Sequence, residues 1–255
     1  MRLVATHHFL SGELSLEADL LFPEDQEKSI PGLVIAHGFP TGETGGANSP
    51  DTLPELGERI SKEMGWAVMV PHFRGMGESE GFFSLDGWRE DLKAAINHFS
   101  AFEEVGPLWL AGFGTGGALS LAAAVTEEEI KGVAALAAPA DFKDWAENPR
   151  RLLLHARDAG LVNESSPLED FDTWRSSLSE ISAERSAENL AFKSLLVVHG
   201  TDDEIVPPLD ARAISGAHAT SELRMISGAG HHLRHDPRAI AILLGWLSRQ
   251  YLLVD

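Results

Sequence analysis

The chain has 255 residues, of which 44% are hydrophobic and 23% are charged, a composition typical of a soluble globular protein with one or two domains. Its 39 acidic and 20 basic side chains give a formal net charge of −19, which argues against nucleic acid and anionic membranes as partners. The absence of cysteine excludes disulfides, thiolate nucleophiles and thiolate metal sites. No secretory signal or run of about 18 apolar residues is present, so we expect a cytoplasmic protein that does not span a membrane.

The first predicted elements are the two strands of a hairpin. Residues 14–20 alternate apolar and polar side chains, and Phe9 and Leu10 precede the turn residues Ser11 and Gly12, which predicts an antiparallel pair. Further along, the pattern changes to short, continuously apolar runs, which are typical of parallel strands covered on both faces. These runs span residues 32–36, 66–70, 108–111, 132–136 and 194–198.

Helical patterns separate these runs, with apolar residues spaced three and four apart. The last predicted helix begins with Asp236 and Pro237, which suit the N-cap and first helical positions. Alternating strands and helices predict βαβ units and hence an α/β fold with a doubly wound, mostly parallel sheet. The predicted helices span residues 52–64, 85–102, 115–125, 208–215 and 236–252.

Residues 141–191 interrupt this alternation. They contain helical patterns at 152–155 and 174–181, many charges and no strand-like run. Because ligands bind at the carboxyl edge of open α/β sheets, we expect this segment to form a small helical cap over that edge. No linker rich in glycine, proline and serine divides the chain. We therefore predict one domain over residues 1–255, with a cap insertion at about 141–191.

A glycine-rich turn follows the predicted strand at residues 108–111, and two interpretations compete for it. Gly112, Gly114 and Gly117 fit a dinucleotide-binding G-x-G-x-x-G fingerprint, with Asp141 as the ribose-binding acid. A lone match of this kind is a weak signal. The turn also fits the nucleophile elbow G-x-S-x-G, in which a strained residue lies between strand and helix. Glycine then occupies position 114, where the motif has serine.

Four further motifs decide between the two interpretations. Together, and in this order, they resemble motifs of the α/β-hydrolase superfamily over residues 32–252, whereas a dinucleotide-binding fold explains none of them. They are His37-Gly38-Phe39, the loop Phe-Arg-Gly-Met-Gly-Glu-Ser-Glu-Gly at 73–81, the segment His-Gly-Thr-Asp-Asp-Glu-Ile-Val-Pro at 199–207, and Gly-Ala-Gly-His at 228–231.

The resemblance implies the α/β-hydrolase fold and a set of site residues. In this family a serine attacks an acyl carbon, a histidine takes its proton, and an acid orients the histidine. By position, the resemblance implies Asp203 as the acid and His231 as the base. It implies the backbone amides of Phe39 and Thr115 as the oxyanion hole. The nucleophile position falls on Gly114, which has no side chain, so a simple acyl-enzyme mechanism is not expected.

Neighbouring residues of the same types have simpler explanations. Asp202 competes with Asp203 for the role of the acid, but the spacing to the following Val-Pro favours Asp203 and leaves Asp202 as a turn residue. His232 and His235 are explained as surface histidines rather than metal ligands. We therefore expect neither a metal nor a cofactor.

The missing hydroxyl leaves three functional hypotheses. The site binds a small acyl or carbonyl ligand with low or altered hydrolase activity, it uses the Asp/His pair for acid/base catalysis, or the chain is a serine esterase in which glycine has replaced serine at position 114. A dinucleotide-binding protein is a remote alternative. Four aromatic residues predict an apolar lining for the ligand site or an anchor for the cap, namely Phe142, Trp145, Phe171 and Trp174.

Overall fold

The sheet is the framework of the protein. A computed structural model describes residues 5–24, 29–40, 52–162 and 171–252, and within these ranges eight strands form one sheet in the order β1-β2-β4-β3-β5-β6-β7-β8. β2 pairs antiparallel with β1 and β4, and all other pairs are parallel. The strands are β1 (Ala5–Ser11), β2 (Leu14–Leu21), β3 (Ile30–Ala36), β4 (Ala67–Pro71), β5 (Val105–Phe113), β6 (Ile130–Leu136), β7 (Ser194–Gly200) and β8 (Glu222–Ile226).

Helices cover both faces of the sheet. α1 and α9 pack on one face around Trp66 and Trp246, whereas α2, α3, α7 and α8 pack on the other around Trp88 and Leu119. The predicted doubly wound α/β architecture is therefore confirmed. The helices are α1 (Leu53–Met64), α2 (Leu85–Ser100), α3 (Thr115–Thr126), α4 (Lys143–Glu147), α5 (Pro149–Asp158), α6 (Phe171–Ser177), α7 (Ala183–Glu188), α8 (Pro208–Ala217) and α9 (Pro237–Tyr251).

Hydrophobic patterning locates the central strands because their side chains are buried on both faces. All five residues of β4 are buried, as are six of the seven in β3 and in β7, which confirms the predicted strands there. β8 was missed. It is an edge strand with only one fully buried residue, and Glu222 and Arg224 break any apolar run.

The start of α9 follows its sequence signal. The Asp236 carboxylate accepts the Arg238 N–H at 2.8 Å, and Pro237 occupies the first turn, where its missing N–H costs no hydrogen bond. The predicted cap and first helical residue are thus confirmed. No helix of the described residues is long and apolar enough to cross a membrane.

The segment predicted as a cap is helical where the structure describes it, with α4 to α7 in succession. Residues 163–170 lie outside the described residues. The helix predicted at 174–181 is wrong at its end, because α6 stops at Ser177 and the next residues form a turn. An isolated antiparallel bridge joins Asp141, the first residue of the segment, to Ser182, the residue before α7.

Candidate active site

Gly114 lies at the sharp turn between β5 and α3. Its backbone has φ 54° and ψ −123°, a positive φ that glycine adopts far more readily than residues with a Cβ atom. Its N–H donates to the Leu136 carbonyl at 2.8 Å, and its own carbonyl accepts the Gly117 N–H at 3.0 Å. The chain therefore holds the strained turn of a nucleophile elbow without a side chain at its tip.

Two neighbouring glycines are required by close backbone approach. A Cβ atom on Gly112 would lie 2.2 Å from the Gly116 carbonyl oxygen, and one on Gly116 would lie 2.3 Å from the His37 carbonyl oxygen. Both distances are shorter than any side chain tolerates. The absence of side chains thus lets α3 begin directly against the end of β3, where Phe39 follows.

His37 fixes the turn that carries Phe39. Its ring is fully buried, with Nδ1 2.9 Å from the Gly38 carbonyl oxygen and Nε2 3.2 Å from the Phe73 amide nitrogen. The carbonyl accepts and the amide donates, so the neutral ring carries its proton on Nδ1. Burial lowers the pKa of His37 to about 3, against a weaker opposing effect of the Gly38 hydrogen bond. His37 is therefore a neutral structural link between two loops.

Asp203 follows β7, and its carboxylate is completely buried. Oδ1 accepts the backbone N–H groups of Ile205 and Val206, both at 2.9 Å. Oδ2 lies 2.9 Å from Nδ1 of His231 and 3.2 Å from Nε2 of His199. Burial alone would raise the pKa of Asp203, but the hydrogen bonds from His199, His231 and Val206 outweigh burial and lower the pKa below its usual range. The group is thus an anion that accepts several hydrogen bonds.

His231 reaches Asp203 because the loop after β8 lies on the end of β7. A Cβ atom on Gly200 would be 2.1 Å from the Ala229 carbonyl oxygen, and the same carbonyl accepts the Asp202 N–H at 2.9 Å. The expected hydrogen bond between His231 and Asp203 is present, and Asp202 is an exposed turn residue. With Nδ1 bonded to Asp203, Nε2 is the ring nitrogen that remains for a ligand.

One cavity, of about 860 Å³, is lined by four of the five residues that the sequence selected, namely Phe39, Gly114, Thr115 and His231. The fifth, Asp203, is buried behind it and reaches it through its hydrogen bond to His231. Phe142 and Trp145, from the segment predicted as a cap, also line the cavity and contact each other at 4.9 Å between ring centroids. Trp145 also meets the Phe39 ring edge to face at 5.3 Å.

Three titratable residues of the cavity wall were not predicted from the sequence. Arg151 and His155, one turn apart on α5, line it, and so does Asp210 of α8. Asp210 accepts the Ala140 N–H at 3.0 Å, but burial outweighs this bond and raises the pKa of its carboxyl. No sequence motif marks these residues, because only the packing of α5 and α8 brings them to the cavity.

Two of the four aromatic residues in the segment predicted as a cap are not among the residues that line the cavity. Phe171 and Trp174 contact each other at 5.8 Å between ring centroids, and Trp174 is buried within the core.

The rings of His231 and His232 lie 5.8 Å apart. Among the residues that the structure describes, no group of three His, Asp or Glu side chains is arranged to hold a metal ion.

Solved structures of similar fold are numerous, but their sequences are distant. Est1E from Butyrivibrio proteoclasticus has a TM-score of 0.76 and 21% identity, covering 96% of this chain and 98% of its own; a structure of Est1E with ferulic acid bound matches at 0.74 and 20%, covering 97% and 99%. The alpha/beta hydrolase GrgF from Penicillium sp. sh18 matches at 0.73 and 22%, covering 97% and 98%. No curated protein sequence matches the chain.

The sequence itself identifies the family. A profile of the alpha/beta hydrolase family matches residues 33–242, which include the glycine elbow and the loops that carry Asp203 and His231. The same span contains every parallel strand except the first residues of β3. The chain belongs to the alpha/beta hydrolase family.

Proposed function

We propose that this protein binds a small acyl or carbonyl compound in the cavity beside Gly114 and acts on it through His231 rather than through a covalent acyl-enzyme. The observation that carries the proposal is the Asp203–His231 hydrogen bond of 2.9 Å next to a nucleophile position that has no side chain. This pair would supply a base and the acid that orients it, whereas the oxygen that attacks the ligand must come from elsewhere.

Water is the simplest source of that oxygen. A water molecule beside Gly114 would give its proton to Nε2 of His231 while its oxygen attacks the acyl carbon, and Asp203 would stabilise the resulting imidazolium. The backbone amides of Phe39 and Thr115 are the candidates to stabilise the oxyanion. The imidazolium then protonates the leaving group, so that ester and water become acid and alcohol and His231 is neutral again.

The aromatic wall supports a ligand with an apolar acyl or carbonyl group. Phe39, Phe142 and Trp145 line the cavity, and the Trp145 ring contacts the other two; aromatic linings of this kind bury apolar groups from water. Est1E with ferulic acid bound shows that a protein of this fold, at 20% identity, accommodates an aromatic acid.

The test compares wild type, His231→Ala, Gly114→Ser and the double variant with a fluorophosphonate probe and a panel of alkyl and aryl esters. We expect no stoichiometric labelling of wild type, and slow ester turnover that exceeds the rate given by binding and the oxyanion hole alone, which is about 10³ to 10⁴-fold over water. His231→Ala should lower the turnover to that residual rate. Gly114→Ser should gain labelling and turnover, and the double variant should lose both gains.

Two results would contradict the proposal. Stoichiometric labelling of wild type would mean that another hydroxyl, with Thr115 nearest in sequence, acts as a nucleophile. Turnover of wild type that is unchanged in His231→Ala would remove the base from the mechanism.

Gly114→Ser should also lower the free energy of unfolding by about 1–3 kcal/mol, because serine must adopt the positive φ of residue 114. Urea unfolding of both proteins measures that difference.

A further inference from the structure

His199 is a second imidazole on the carboxylate of Asp203. It is the next-to-last residue of β7, its side chain is completely buried, and it is not among the described residues that line the ligand cavity. Its Nε2 is 3.2 Å from Oδ2 of Asp203 and 3.0 Å from the Val206 carbonyl oxygen. The sequence motif contains this histidine, but the family resemblance gave it no role.

The surroundings of His199 fix its tautomer. Nε2 faces two oxygens that can only accept hydrogen bonds, an ionised carboxylate and a backbone carbonyl, so Nε2 must carry a proton. Nδ1 is buried and has no hydrogen-bond partner among the described residues. A proton on that nitrogen would be buried without an acceptor, which is costly. His199 is therefore a neutral ring that donates from Nε2.

Asp203 shares one oxygen between the two imidazoles. Oδ2 is 2.9 Å from Nδ1 of His231 and 3.2 Å from Nε2 of His199, while Oδ1 is occupied by two backbone N–H groups. The carboxylate thus cannot rotate without breaking bonds on both oxygens. A second donor on Oδ2 also takes part of the negative charge that His231 would otherwise receive.

We propose that His199 is a positioning residue, which uses its Nε2–H to hold Oδ2 of Asp203 in the orientation that His231 needs and to limit the strength of the Asp203–His231 hydrogen bond. The inference rests on the proposed function only where it assumes that His231 acts on a ligand. The arrangement of the three side chains is independent of it.

Other titratable groups face these rings. The His232 ring is 5.8 Å from that of His231, and His235 lies close enough to His232 for their charges to interact. Asp210 interacts electrostatically with His199 from α8, and it does so without a hydrogen bond between them. Among the described residues, Asp203 alone hydrogen-bonds to both His199 and His231.

The experiment is NMR of the imidazole N–H groups in the full chain, comparing wild type with His199→Gln and His199→Met. The glutamine amide places an N–H near the position of Nε2, whereas methionine fills the space without a donor. We expect wild type to show His199 protonated at Nε2 alone. In His199→Met the His231 Nδ1–H resonance should move downfield as its bond to Oδ2 strengthens, and His199→Gln should restore it toward the wild-type position.

Three results would overturn the proposal. The first is a wild-type His199 protonated at Nδ1. The second is a folded His199→Met protein whose His231 Nδ1–H resonance stays at the wild-type position. The third is a His199→Gln protein whose His231 Nδ1–H resonance moves as far downfield as in His199→Met. If His199→Met does not fold, the wild-type tautomer and the glutamine variant still decide. Ester turnover and ligand binding are measured separately, so their absence would contradict the proposed function and leave these resonances as the test of His199.

Discussion

A single buried ring links the turn that carries Phe39 to the rest of the molecule. His37 donates to the Gly38 carbonyl, accepts the Phe73 N–H, and packs its ring 4.4 Å from that of Phe73 and 5.0 Å from that of Trp88. The bond from the Phe73 N–H requires the neutral imidazole, because it needs a free lone pair on Nε2. Protonation of His37 would place a proton on the nitrogen that faces the Phe73 amide.

Acid should therefore weaken the fold through His37. Its pKa is about 3 in the folded chain and about 6.5 when unfolded, so below pH 6.5 the unfolded state binds the extra proton. Stability is retained above that pH and is lost as pH falls from 6.5 toward 3. Between about pH 7.5 and about pH 4.5, wild type should lose about 2–3 kcal/mol more than His37→Gln.

Urea unfolding of both proteins at the two pH values measures this difference. His37→Gln is expected to be less stable at both, and only the change with pH is compared, since every other titrating group is common to the two proteins. Equal losses in wild type and variant would show that His37 does not stay neutral in the folded chain.

Sequence could identify residues whose role is local. Asp203, His231 and Gly114 lie in recognisable motifs, so the family resemblance predicted their proximity even though β8, the strand before His231, was missed. Arg151, His155 and Asp210 could not be found in this way, because they reach the cavity through the docking of α5 and α8. His199 was visible in its motif, but the shared carboxylate oxygen is a tertiary contact.

At the scale of elements, the contact between α3 and β3 sets the geometry of the elbow. Gly116 in the first turn of α3 lies against the His37 and Ala36 carbonyl oxygens at the end of β3. That approach leaves room for no side chain. Gly216 in α8 provides a comparison, since it is exposed and a Cβ atom there would meet nothing within 4 Å.

Alanine substitution should separate these two glycines. We expect Gly116→Ala to destabilise the protein by about 1–3 kcal/mol, since α3 must move away from β3, and to disturb the cavity next to Thr115. Gly216→Ala should be neutral or stabilising by up to about 1 kcal/mol, because it removes only the flexibility of glycine within a helix. Thermal unfolding of the three proteins measures both effects; equal stability of Gly116→Ala and wild type would contradict the close approach.

The elements themselves were predictable to different degrees. β3, β4 and β7 are covered on both faces, so their sequences can be recognised as apolar runs. β8 pairs with β7 on one edge alone, so its side chains need not be apolar. The hydrophobic pattern therefore does not predict this strand. The end of α6 depends on the turn after Ser177, where no glycine or proline marks a stop.

Over the whole molecule, a net charge of −19 acts against the folded state. Like charges on a compact surface repel one another, and in an unfolded chain they move apart. Salt shortens the range of this repulsion from about 10 Å at 0.1 M to about 3 Å at 1 M. The fold should therefore be more stable in concentrated salt.

We expect the melting temperature to rise by at least about 3 °C between about 0.05 M and about 1 M NaCl, corresponding to about 1 kcal/mol. KCl should have the same effect, because screening depends on ionic strength rather than on the identity of the cation. Sodium sulfate at equal ionic strength is the control for ion exclusion from the surface. A melting temperature that does not respond to NaCl would contradict charge repulsion as a cost of this fold.

The order of the site residues along the chain has a consequence for biosynthesis. Phe39 and Gly114 follow β3 and β5, but Asp203 and His231 follow β7 and β8, the last two strands of the described residues. A nascent chain that has completed β6 can hold the elbow against β3 while it lacks both the proposed acid and the proposed base. Because domains fold as their residues emerge, the nascent chain should acquire its proposed chemistry only after β8 and the loop that carries His231 have been translated, and translation products that stop before β7 should be inert.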